Sequence, residues 1–218
     1  MKKIIIFLGP PGSGKGTQAK KIAKKFDFGH ISTGDLLRHL ANDPHADPTD
    51  KQKLIEMKSG KLVSDDLIYK LAFREIEKYL SAGKGVVLDG AIRSVAQAKK
   101  YQEFFISKNL TDEVAVEIAL SDEEAFNRLT KRRVCAGCGE IIPYLPSTRS
   151  LTSCPKCGGE LKVRKDDEPA VIKQRIVDQG NAALAPILKY YENLGMLKKV
   201  DGAAPIDEVE EKITHALK

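Results

Sequence analysis

Residues Gly9-Pro10-Pro11-Gly12-Ser13-Gly14-Lys15-Gly16-Thr17 constrain this chain more than any other stretch. They follow Ile4–Leu8, a β-branched run stopped by Gly and Pro, as in a strand buried on both faces. They lead into the Ala/Lys-rich stretch Gly16–Phe26, where Ile22 and Phe26 stand four residues apart, as on one side of a helix. A glycine-rich loop in this setting is an anion site. Its backbone N–H groups close around a phosphate, the helix N-terminus adds its dipole, and the lysine reaches the β- and γ-phosphates. The spacing fits Gly-x4-Gly-Lys, which makes Gly12, Ser13, Gly14, Lys15, Gly16 and Thr17 candidate nucleotide contacts. Gly16 stands where Ser or Thr usually serves magnesium, with Thr17 one residue later. The bland alternative is a strand-to-helix turn without a ligand; strand, glycines, lysine and helix together argue against it.

The rest of the chain alternates in the same way. Gly85–Leu88, Val114–Leu120 and Leu197–Val200 read as strands. Ser64–Leu80, Val95–Ser107, Asp122–Lys131 and Ile206–Leu217 read as helices, with Ser64 and Ser121 as caps. Glu168–Tyr191 reads as one long helix, kinked or broken at Pro186. Such alternation predicts an α/β fold, a parallel sheet with helices on both faces. Two segments interrupt it. Asn42–Lys51, rich in Asp and Pro, reads as a mobile loop, and Val134–Gly159 holds every cysteine amid many glycines and prolines. Both read as insertions and as moving parts.

With 218 residues, 42% hydrophobic and 30% charged, the chain can bury a single-domain core and is not disordered. Its 36 Lys and Arg exceed its 30 Asp and Glu by six, which suits anionic substrates without implying nucleic acid. Aromatics are 6% with no Trp, against a surface that stacks single-stranded bases. Ile4–Leu8 is the longest apolar run, far short of the roughly 20 residues of a membrane span. Met1-Lys2-Lys3 ahead of it mimics a signal peptide, but the run is too short and no cleavage site follows. The chain reads as cytoplasmic, with no membrane partner.

The four cysteines form Cys135-x2-Cys138 and Cys154-x2-Cys157, fifteen residues apart. This is the spacing of a closed tetrahedral zinc site. Glycines at 137, 139, 158 and 159 permit its tight turns. In a cytosolic protein two disulfides are disfavoured, while iron remains an alternative occupant. The histidines show no ligand spacing.

Gly9–Thr17 and His30-Ile-Ser-Thr-Gly-Asp-Leu-Leu-Arg38 resemble adenylate kinases. So do Gly60–Val63, Val86-Val-Leu-Asp-Gly90 with Arg93 and Gln97, Arg128–Arg133, and Arg164-Lys-Asp-Asp167 with Arg175, in the same order along nearly the whole chain. The resemblance implies a P-loop three-layer fold with a five-stranded parallel core sheet. It implies a core of residues 1–31, 64–130 and 168–218, an AMP-binding helical insertion at 32–63 and a zinc-ribbon-like lid at 131–167. It implies transfer of the terminal phosphoryl of MgATP to AMP, giving two ADP, by a monomer. Thr33 and Gln97 would contact the adenine of AMP; Arg38 and Arg93 its phosphate; Lys61, Leu62, Val63 and Gly90 the rest of it. Arg128 and Arg132 would lie on the ATP side, with Arg164 and Arg175 between the nucleotides. Asp89 would hold magnesium through water, with Asp35 either sharing that shell or capping its helix. Lys15, Arg93, Arg132, Arg164 and Arg175 would form the catalytic cage of cations that phosphoryl transfer requires.

Two departures stand out. Gly90-Ala91-Ile92-Arg93 replaces the family's Gly-Phe-Pro-Arg, and His39–Lys53 differs from the usual insertion sequence. They keep open a different acceptor base. A P-loop protein whose zinc ribbon binds nucleic acid is the reading from another class, opposed by the dispersal of basic residues through the motifs.

Overall fold

The computed structural model describes residues 2–58, 65–164 and 167–218. In chain order it contains β1 (Ile4–Leu8), α1 (Lys15–Phe26), β2 (Gly29–Ser32), α2 (Thr33–Asn42), α3 (Pro48–Lys58) and α4 (Asp65–Ser81). There follow β3 (Val86–Asp89), α5 (Val95–Ser107), β4 (Glu113–Ala119) and α6 (Asp122–Lys131). The cysteine-bearing region holds β5 (Arg133–Cys135), β6 (Ile141–Ile142) and β7 (Leu161–Lys162). The chain continues with α7 (Pro169–Gln179), α8 (Asn181–Asn193), β8 (Leu197–Asp201) and α9 (Ile206–Ala216).

Five strands form a parallel sheet in the order β2-β3-β1-β4-β8. The central strands are apolar at every β1 position because both faces are covered. Ile4, Ile6 and Leu8 face the helices that carry Ile76, Tyr101 and Ile187, while Ile5 and Phe7 face Ala19, Ile22, Val209 and Ile213. The period of two thus divides a single apolar run between two cores. In register, Phe7 pairs with Asp89, and Asp89 with Ser32, so the ends of three strands share one edge. The loop after β1 leaves from this edge, where ligands bind in open parallel sheets. The smaller antiparallel sheet β6-β5-β7 takes in the predicted insertion Val134–Gly159 and extends past both its ends, to Arg133 in β5 and Leu161–Lys162 in β7.

Two readings of the sequence are corrected here. The stretch Asn42–Lys51 is not a loop throughout: α3 begins at Pro48. The Asp47 carboxylate accepts the Thr49 N–H at 2.8 Å, a helix cap followed by proline at a tolerated position. The helix predicted from Glu168 to Tyr191 is two helices, and the break falls at Gly180, not Pro186. Asn181 donates its backbone N–H and its amide to Asp122 and its amide also to the Leu120 carbonyl, at 2.9–3.1 Å. Those bonds fix a corner that local propensity does not specify, and Pro186 is accommodated inside α8. Ser64, expected to cap α4, lies outside the described residues.

Glu113 opens β4 at the opposite edge of the sheet and is 4% exposed, and its Oε2 has no partner among the described residues. Burial pushes its carboxyl up to about 7, against the pull of Lys2. The unfolded value is about 4.3. A raised carboxyl pKa favours folding while the group is protonated, and this contribution is lost as pH rises from about 4 to 7. The melting temperature is expected to fall between pH 5 and pH 8, and to fall less in Glu113→Gln. Parallel melting profiles for the two proteins would contradict this.

Candidate active site

The loop after β1 owes its shape to backbone constraints. Gly9 adopts φ +144°, and a Cβ there would sit 2.5 Å from the Ile118 carbonyl oxygen. Gly14, at φ +96°, precedes α1 without capping it, and the first turn of α1 carries no acidic side chain. The amides of that turn are therefore left for an incoming anion. Lys15 Nζ donates to the carbonyls of Gly9 and Pro10 at 2.6 and 2.8 Å, folding back across the loop. Burial lowers its pKa to about 8; Asp89 opposes this, and the charges of Arg175, Arg93 and Arg132 add to it.

Around this loop opens a cleft of about 1220 Å³, larger than the roughly 300–1,000 Å³ of a pocket for one small ligand. Among the described residues, nine Lys and Arg side chains line it against five Asp and Glu, which favours polyanionic ligands. Arg93, Arg128, Arg132, Arg164 and Arg175 all reach it, as do Gly12, Ser13, Gly14, Gly16, Thr17, Arg38, Asp89 and Gly90. Desolvation by the cleft walls, and then the Arg175 charge, lower the pKa of Arg93.

Each of several cations is held by a partner. The Asp167 carboxylate, with a side chain 0% exposed, accepts two bonds from Arg132 at 2.8 and 2.7 Å and one from Arg175 at 3.3 Å. Such a two-pronged pairing orients a guanidinium as well as stabilising it. Arg128 donates to Glu124 and to the Gly202 carbonyl, both at 2.9 Å. Arg38 pairs with Asp35 at 2.6 Å; burial raises the Asp35 pKa, but Arg38, with the charges of Lys20 and His30, lowers it on balance. Asp35 also receives the α2 cap in its backbone N–H, donated to Ser32 Oγ.

Asp89 ends β3 with its side chain 16% exposed, 3.8 Å from His30 Nε2. A Cβ on Gly16 would lie 3.1 Å from Asp89 Oδ2. The missing side chain at position 16 thus makes room for the Asp89 carboxylate. One such carboxylate beside phosphate-binding amides suits magnesium, which keeps most of its waters and uses few protein ligands.

Two expected contacts are not on the cleft wall. Thr33 is 3% exposed, and its Oγ1 has no partner among the described residues. Gln97 is buried with its amide engaged: Oε1 accepts the Arg93 N–H at 2.6 Å, and Nε2 donates to Asp65 at 2.7 Å. Lys61, Leu62 and Val63 lie outside the described residues. Sequence reasoning missed two parts of the wall: Pro143 and Tyr144 from the small sheet's loop, and Gly202–Ile206 after β8. The second had a signal, since every loop leaving the carboxyl edge of a parallel sheet is a candidate.

The four cysteine sulfurs lie within 4.8 Å of one another, with Cys135–Cys157 at 3.4 Å and Cys138–Cys154 at 3.7 Å. A Zn–S length near 2.3 Å in a tetrahedron requires S···S spacings of about 3.8 Å. The donor set fits zinc closely. A Cβ on Gly159 would lie 2.9 Å from Cys135 Sγ, so the turn tolerates only glycine beside the sulfurs.

A strand-end phosphate loop, a cation-lined cleft and a carboxylate at the neighbouring strand end belong to a P-loop phosphotransferase. The chain belongs to the adenylate kinase family, whose model, described as adenylate kinase, matches residues 7–196. It is 38% identical over 207 residues to an adenylate kinase of Lachnospira eligens, covering 94% of this chain and 95% of that one. It is 38% identical over 216 residues to that of Thermoanaerobacter sp. (strain X514), covering 98% and 97%, and 39% identical over 215 residues to that of Clostridium acetobutylicum, covering 98% of each. It is a nucleoside monophosphate kinase, and ATP, AMP and ADP are the family's substrates.

Replacing Lys15 with Met should leave the melting temperature nearly unchanged and cut turnover by roughly 10²–10³, the cost of removing one preorganised charge at a developing anion. Steady-state turnover near that of the parent would contradict the role given to the loop.

Proposed function

We propose that the cleft residues divide the reaction between two halves. On the ATP side, Gly12–Thr17, Arg128 and Arg132 bind the triphosphate. On the AMP side, Arg38, Lys61–Val63, Gly90 and Arg93 bind the acceptor, with Arg164 and Arg175 between; Thr33 and Gln97, buried off the cleft wall, complete the acceptor side in this reading. Magnesium, held by Asp89 through water, supplies charge neutralisation on the phosphates when bound. The observation that carries this reading is electrostatic: Arg93, Arg132 and Arg175 bear on Lys15 across one cleft, with Asp89 among them. The acceptor phosphate oxygen forms a bond to the terminal phosphorus while the bridging P–O bond to ADP breaks. Charge spreads over the equatorial oxygens, and the arginines and Lys15 meet it with donors already in place. Arginine suits the task because it stays charged and binds phosphate oxygens with two prongs.

Residues 1–31, 64–130 and 168–218 form the core in this reading, 32–63 the AMP-side insertion and 131–167 the lid. The protein acts on free nucleotides in the cytoplasm, without nucleic acid. The placement of arginines in the cleft supports action on nucleotides; among the described residues no helix is long and apolar enough to cross a membrane. The resemblance carries the expectation of a monomer.

Phosphoryl transfer from MgATP to AMP, GMP, CMP and UMP tests the acceptor. AMP is expected to give the highest kcat/KM, and better use of CMP or UMP would defeat the assignment.

Cys135, Cys138, Cys154 and Cys157 would hold one structural Zn²⁺ away from the phosphates. The small sheet carries little apolar surface of its own, and structural zinc contributes about 10–16 kcal/mol of apparent binding energy in small peptides. Native mass spectrometry should find one zinc per chain. Cys135→Ser or a chelator should lower the melting temperature more than low-temperature activity. A metal-free protein of unchanged melting temperature would defeat the structural role; lost activity at unchanged stability would move the metal into catalysis.

A further inference from the structure

Gln97 holds a position that none of its assigned roles explains. Its side chain spans two elements, joining Asp65 at the start of α4, 32 residues before Gln97 in sequence, to the Arg93 backbone ahead of α5. A primary amide can present its oxygen and nitrogen either way round. Here both neighbours allow one choice. The Arg93 N–H only donates, and the Asp65 carboxylate only accepts, so the oxygen must face Arg93 and the nitrogen Asp65. The reversed amide would set N–H against N–H and oxygen against carboxylate. The backbone N–H of Gln97 is also committed, to Ser94 Oγ at 3.1 Å, which seats the residue in the first turn of α5.

We propose that Asp65 is a positioning residue for acceptor selection: its carboxylate fixes the orientation of the Gln97 amide and, through it, the turn that carries Arg93. The proposal rests on the acceptor assignment above. After its two bonds, the amide keeps one N–H and one lone pair of the oxygen. Adenine offers an acceptor at N1 beside a donor at N6; guanine offers a donor at N1 beside an acceptor at O6. The two edges are reversed images of each other. A fixed amide therefore distinguishes them, and a freely turning one does so less. The same bond restrains the backbone of the arginine assigned to the acceptor phosphate, so acceptor base and acceptor phosphate depend on a single carboxylate that touches neither.

The test is Asp65→Asn, which keeps the shape but replaces an acceptor-only carboxylate by an amide that can face Gln97 either way, leaving the Arg93 N–H as the one remaining restraint on its orientation. The expected result is a KM for AMP raised about tenfold, the scale of one hydrogen bond to a charged group. The AMP-to-GMP ratio of kcat/KM should fall by a similar factor, with the KM for MgATP unchanged. A merely structural role would move both substrates together. An unchanged AMP-to-GMP ratio, or a MgATP KM that rises in step with that of AMP, would overturn the proposal. A second pair keeps the test sound where Asp65→Asn melts too low to assay. Gln97→Glu alone sets two carboxylates face to face, and adding Asp65→Asn restores a donor between them. The double variant should bind AMP better than Gln97→Glu alone; equal or weaker binding would overturn the proposal. A parent enzyme that prefers a pyrimidine acceptor would instead defeat the acceptor assignment itself.

Discussion

Burial, opposed by Asp89 and joined by the charges of Arg175, Arg93 and Arg132 across the cleft, brings the pKa of Lys15 to about 8. Cations gathered this closely repel one another, so the fold has to hold them in place without a ligand. It does so with rigid elements. Lys15 is tied to two loop carbonyls, Arg128 to the Gly202 carbonyl, and Arg132 to a buried carboxylate. A phosphate chain bound among them supplies the missing negative charge, and most strongly where the transition state concentrates it. The repulsion in the free enzyme and the affinity for phosphates are the same interaction seen from two sides.

Two aspartates near this charge differ in their surroundings. Asp167 is fully buried and receives Arg132 and Arg175 together, so its charge is spent on orientation; removing it would take away the carboxylate that the two guanidiniums share. Asp89 keeps 16% of its side chain exposed at the strand edge, faces the space left by Gly16, and remains available to a hydrated cation. Residue type does not separate these roles. Burial does.

Chemistry carried by local spacing was legible in the sequence. The phosphate loop needs only a strand, three glycines and a lysine in order, and the cysteine quartet needs two short knuckles; both are as expected in the structure. Features set by distant partners were not. The break at Gly180 depends on Asp122, 59 residues away from Asn181, and no periodicity within Glu168–Tyr191 reports it. The start of α3 was hidden because aspartate and proline, which mark loops by composition, also cap helices. The resemblance assigned Gln97 to the acceptor half, but its bond to Asp65 was not legible, because it arises only when α4 and α5 begin side by side.

That bond also bears on the most evident departure from the family, Ala91-Ile92 in the turn before Arg93. A proline there would limit the turn by its fixed φ. In this chain Ala91 and Ile92 are each 4% exposed and join the core that includes Ile6, Leu88 and Ala98. Gly90 supplies the left-handed step at φ +65°, and the Arg93 N–H is bound by Gln97. Apolar burial on one side and a side-chain hydrogen bond on the other thus take the place of ring rigidity. Such a turn is held by its neighbours more than by its own covalent geometry. Its stiffness is then a property of the contact between α4 and α5, which is why a residue outside the turn, Asp65, gains influence over the acceptor half of the site.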